Sequence, residues 1–181
     1  MTQGGGAHSA GVVYTLSFSV AEWTETVLHA FQAGSDGSCA LGGLMSDRSG
    51  KLYGTTSTSG SNDAGTVFEL TPSGGGWTFC VLYSLTGFAT GCGTGSATNL
   101  VMDAAGNLYG MIETGGAYGY GSVFKLTPSN GSWLYSSIHD FAYNDGTNPW
   151  STLVMDASGN IYGTTVYGGM YGRGTVWEIT P

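Results

Sequence analysis

Three aspartates recur in one setting along the chain: Asp47 in DRSGKLY, Asp103 in DAAGNLY and Asp156 in DASGNIY. Each stands three residues before a glycine and six before a tyrosine, Tyr53, Tyr109 or Tyr162. A repeated carboxylate of this kind has three chemical uses. A ring of carboxylates binds calcium, which takes about six to eight oxygens. Two opposed carboxylates hydrolyse glycosides, but the sequence singles out no pair among the twelve acids. The third use is structural: Asp accepts backbone N–H bonds in tight turns, and Gly supplies positive φ without a Cβ penalty. That last use accounts for the D-x-x-G spacing by itself. Asp47, Asp103 and Asp156 are therefore read as turn residues, with no catalytic residue and no metal ligand assigned. No cofactor is expected, calcium being the one alternative.

The other reactive residue types reduce in the same way. Glycine-rich loops at 5–11, 115–121 and 168–174 have the look of phosphate cradles. No helix follows to present N–H groups, and no Lys-Ser/Thr follows either, so they read as hairpin turns. His29 and His139 share one position of a repeated segment where Tyr83 stands in another copy. A position that accepts His or Tyr is a half-buried amphipathic site rather than a general base. No G-x-S-x-G elbow opens a helix. The cysteines are Cys39, Cys80 and Cys92, an odd number with no C-x-x-C. In an oxidising compartment a Cys39–Cys92 disulfide would staple successive repeats, and a Cys80–Cys92 disulfide would staple a hairpin. The first pairing is preferred.

Aromatic residues outside the repeat pattern carry the binding chemistry. Tyr118, Tyr120, Trp150, Tyr167 and Tyr171 lie mostly in loops among glycines. Tyr and Trp on polar loops give contact area at low entropic cost. These five are the candidate ligand-binding residues, for a glycan or a surface protein. Ordinary loop packing is the competing reading.

The elements that position these residues are legible from internal repetition. Tyr53, Tyr109 and Tyr162 are 56 and 53 residues apart. AGTVFELTP (64–72), YGSVFKLTP (120–128) and RGTVWEITP (173–181) form a second block, with AGVVYTLSF (10–18) as a degenerate copy. A third block begins at Trp23, Trp77 and Trp133. Each unit splits into four short segments rich in Val, Ile, Thr and aromatics, bounded by Gly, Asn, Pro or Ser. In one copy they are TNLVMD (98–103), NLYGMIE (107–113), GSVFKLT (121–127) and WLYSSIHDF (133–141). No window of helical length has a helical period. The expectation is an all-β chain of tandem four-stranded antiparallel blades, β-propeller-like, with about three repeats. It forms a single repeat domain, 1–181, with repeats at about 5–58, 59–114 and 115–167 and a terminal strand at 168–181. Known rings use about four to eight blades. The chain is thus read as a fragment of a longer array, or as a ring completed by self-association, with the terminal strand inviting strand exchange.

Composition excludes several partners. Charged residues are 9% of the chain, against about 25% in ordinary soluble domains. The formal net charge is −8, with only Arg48, Lys51, Lys125 and Arg173 as cations. Four scattered cations cannot neutralise a run of phosphates, so nucleic-acid binding is not expected. No apolar run approaches about 20 residues, so membrane insertion is not expected. The start, MTQGGGAHSAG, has neither a basic nor an apolar region, so no signal peptide is expected there.

The pattern GNIYGTTVYGGMYGRGTVWEITP (159–181), with copies at 50–72 and 106–128, resembles the GloVer tandem repeats. WTETVLHAF (23–31) and DGTNP (145–149) fit the same pattern. The chain departs from it at VVYTLSF and at Cys39 and Cys92. The resemblance implies a propeller-like fold and an extracellular or cell-surface setting, and it implies no chemistry. The expected function is a non-enzymatic extracellular repeat module for surface binding or self-assembly. A propeller hydrolase or lyase with a channel metal, and a filament subunit built by strand exchange, are the alternatives.

Overall fold

A computed structural model describes residues 1–87 and 98–180. The described residues are all β, in four sheets. The first is the hairpin β1 (Val12–Ser19) and β2 (Glu22–Ala30). The second runs β3 (Met45–Ser46), β4 (Leu52–Thr55), β5 (Thr66–Ser73) and β6 (Gly76–Ser84). The third repeats that order with β7 (Val101–Met102), β8 (Leu108–Ile112), β9 (Ser122–Ser129) and β10 (Ser132–Asp140). The fourth contains β11 (Thr147–Pro149), β12 (Val154–Met155), β13 (Ile161–Tyr167) and β14 (Val176–Ile179). Every pairing between these strands is antiparallel. The tandem four-stranded blades expected from the repeat are therefore present.

Two departures have simple causes. The first strand of each blade is only two residues long, because the aspartate turn begins directly after it. In addition, β11 was not foreseen. It pairs with the far end of β13, Thr147 opposite Tyr167 and Pro149 opposite Thr165.

The long hairpins β1–β2, β5–β6 and β9–β10 share a defect at one place. Leu28, Leu82 and Ile138 are each skipped by the register. Such a bulge re-aims a side chain. Each of the three packs into the core shared with the following sheet.

The core is a series of contacts between sheets. Val13 and Phe31 of the first sheet meet Phe68 and Leu70 of the second. Tyr53 and Val67 of the second meet Leu108, Phe124 and Leu126 of the third. Met111, Val123 and Phe141 of the third meet Leu153 and Ile161 of the fourth. Burying side chains of this size stabilises by roughly 1.5–3 kcal/mol each. Stability thus resides between neighbouring sheets, as in other repeat proteins.

The glycine of each Tyr-Gly pair belongs to this packing. Gly54, Gly110 and Gly163 lie opposite Phe68, Phe124 and Trp177 across a strand pair. A Cβ on Gly110 would come within 2.4 Å of the Phe124 ring. Only glycine lets the aromatic ring lie across its neighbour.

Candidate binding surface

The three repeated aspartates close the turns between the first two strands of each blade. One oxygen of Asp103 accepts bonds from the Ala105 and Asn107 N–H groups, both at 2.9 Å. Its other oxygen accepts from the Asn107 amide at 2.6 Å and the Tyr109 hydroxyl at 3.0 Å. Asp156 repeats this with Ser158, Asn160 and Tyr162. Asp47 does so with Ser49, Lys51 and Tyr53. Burial alone would raise Asp103, but these donors outweigh it and hold the carboxyl below its ordinary range. In Asp156 the Asn160 side chain is the leading cause of the same shift.

Asp47 and Asp103 also border an open cavity of about 800 Å³ where the short first strands meet. Met45, Val101, Met102 and Met155 supply its apolar lining. Every carboxylate oxygen of the three turns is occupied by local donors. Among the described residues, no group of three His, Cys, Asp or Glu is arranged to hold a metal ion.

The aromatic candidates are placed by three loops at one end of the third and fourth sheets. Residues 113–121 join β8 to β9, residues 141–153 lead from β10 through β11 to β12, and residues 168–175 join β13 to β14. The loops are tied by backbone bonds. The Tyr120 carbonyl accepts from the Asn148 N–H at 2.9 Å, and the Tyr143 carbonyl accepts from the Gly169 N–H at 2.9 Å. The conformation of the last loop requires glycine at Gly174. It has φ 86°, and a Cβ there would lie 2.2 Å from the Thr165 carbonyl oxygen.

Tyr118, Tyr120, Trp150, Tyr167 and Tyr171 are all exposed, Tyr171 at 82%. The structure adds Tyr143, exposed beside them. Its ring lies 6.2 Å from that of Tyr120, at 66°. A Cβ on Gly172, next to Tyr171, would lie 3.4 Å from the Tyr143 hydroxyl. Tyr118 sits on the same loop as Tyr120, and Tyr167 pairs with Thr147 four residues beyond Tyr143. These loops therefore gather tyrosines along one rim. Trp150 lies beyond β11 and makes no ring contact among the described residues. Tyr143 escaped sequence reading because it follows a repeated strand and only the fold returns it to this rim.

Glu113 lies at the base of the same loops. One oxygen accepts from the Asn148 side chain at 3.3 Å, and the other is buried with no hydrogen-bond partner among the described residues. Burial pushes its carboxyl up, and Asn148 only partly offsets this. Nothing in the sequence marks it, since Ser57 and Val166 stand at its position in the other copies.

His29 and His139 sit at the ends of the outer strands. His29 stacks on Phe79 at 3.8 Å between ring centroids and pairs with Asp36 at 3.2 Å. Burial lowers its affinity for a proton, against the opposing pull of Asp36. His139 pairs likewise with Asp145 at 3.1 Å. Cys39 is disulfide-bonded and Cys80 is a free, exposed thiol. The alternative hairpin staple through Cys80 therefore does not form. The expected partner, Cys92, lies outside the described residues.

No helix among the described residues is long and apolar enough to cross a membrane. The repeat described as the Gloeobacter/Verrucomicrobia repeat matches residues 1–181. No curated protein matches the chain.

Proposed function

The chain belongs to the Gloeobacter/Verrucomicrobia repeat family, and on that premise we propose that it is a non-enzymatic binding and assembly module working outside the cell or at its surface. Its ligand is a glycan, held by the tyrosine rim. One observation carries this reading: tyrosines from three separate loops stand exposed along one rim, with Tyr120 and Tyr143 at positions that hold no tyrosine in the other copies. Sugars offer flat apolar faces edged by hydroxyls. Exposed tyrosines match the faces at low entropic cost and offer their own hydroxyls to the edges. The disulfide at Cys39 supports an oxidising setting. The aspartate turns support the non-enzymatic part, because their carboxylates serve local donors.

A glycan array probed with the whole chain and with a Tyr120→Ala/Tyr171→Ala variant tests the reading. Binding to a glycan class by the wild type, lost in the variant, is expected. A silent array for the folded wild-type chain would sink it.

A further inference from the structure

The three loops of the rim carry three charged residues, Glu113, Asp145 and Arg173. Both acids are engaged. Glu113 meets Asn148 with one oxygen and buries the other. Asp145 accepts from the Ala142 N–H at 2.7 Å with one oxygen and faces the His139 ring at 3.1 Å with the other. Arg173 is exposed and forms no ion pair among the described residues. The free charge of the rim is therefore positive, in a chain of net charge −8.

Arg173 also breaks the repeat. It stands at the position of Ala10, Ala64 and Tyr120, and a glycine at positive φ follows in every copy: Gly11, Gly65, Gly121 and Gly174. Ala10 and Ala64 are buried, whereas Tyr120 is 41% exposed although its own sheet has all four strands. A large residue at this position reaches solvent even with the outer strand in place. The turn that carries Arg173 is fixed. The Gly172 N–H donates to the Gly169 carbonyl at 3.1 Å, and the Gly174 N–H to the Gly168 carbonyl at 3.0 Å. Tyr171 lies two residues before Arg173, and the Tyr143 hydroxyl lies against the glycine between them.

We propose that the rim takes a glycan built from uronic acids, with Arg173 as the residue that reads the sugar carboxylate. The inference rests on the glycan reading of the rim and names the class of sugar. A guanidinium meets a carboxylate with two parallel N–H donors, while the tyrosine faces cover the ring of the same sugar. One cation answers one negative charge. A uronate brings one charge for each ring, whereas a densely sulfated chain would bring several against a protein that is itself anionic.

Calorimetric titration of the whole chain with oligogalacturonate, oligoglucuronate and oligomannuronate, each beside its methyl ester, tests the assignment. The ester keeps the ring and removes the charge. At least one acid should bind about five- to tenfold tighter than its ester, and added salt should narrow the difference. Arg173→Gln should bring that acid down to the affinity of the ester and keep Tm, because the side chain is exposed. Equal binding of acid and ester, no binding of any of these acids, or a preference that survives Arg173→Gln would overturn the assignment. A neutral glycan that still binds on the array, and is lost with Tyr120→Ala/Tyr171→Ala, would then leave the rim standing without Arg173 as its reader. A silent array together with silent titrations would sink both.

Discussion

Asp103 shows how a repeated acid serves a fold. Its two oxygens take four donors from the next six residues. The Asp-x-x-Gly spacing was legible in the sequence because all of these partners are local. With its folded-state pKa depressed, Asp103 contributes stability above its unfolded value, about 3.9. That contribution is lost as pH falls through the depressed value. Asp103→Asn is expected to cost about 1–2 kcal/mol at neutral pH by urea unfolding, and nothing in strong acid. Glu113 has the opposite sign. Its folded-state pKa is raised by burial, so its stability contribution is full below the unfolded value and is lost as pH rises through the folded one. Glu113→Gln should raise the unfolding free energy at neutral pH, with the gain fading in acid. A gain that persists in acid would contradict the account. Glu113 was not legible, since its burial comes from a loop 35 residues away that brings Asn148.

The strands themselves were legible wherever a block repeated, because alternation and bounding glycines are local signals. The bulges at Leu28, Leu82 and Ile138 were not legible, although all three residues are apolar. A bulge shows only when the partner strand is in place. The hairpin turns of the long strands divide the same way. Gly74–Gly75 and Asn130–Gly131 take positive φ at both positions, as a tight two-residue hairpin turn requires. Val20 and Ala21 do so as well, at φ 49° and 65°, and neither has the chemistry for it. Strain of this kind costs about 1–3 kcal/mol per residue. Val20→Asn with Ala21→Gly is therefore expected to stabilise the chain by about 1–2 kcal/mol, read as a rise in Tm. No gain in Tm would show that the turn relaxes in solution.

At the scale of the molecule, quasi-equivalent sheets leave different things at different places. The aspartate turns recur in three blades and have local work in each. The tyrosine rim occurs once, on the loops of the third and fourth sheets. Tyr120, Trp150 and Tyr167 stand where the other copies hold no aromatic, Tyr118 and Tyr171 share one loop position, and the loop crossing that adds Tyr143 needed the fold. The direct measurement is an amide chemical-shift map of the isotope-labelled chain titrated with an oligosaccharide selected on the array. The account predicts shifts concentrated at Tyr118, Tyr120, Tyr143 and Tyr171, with Ser49, Ala105 and Ser158 in the aspartate turns unmoved. Shifts confined to those turns and to the cavity they border would contradict it.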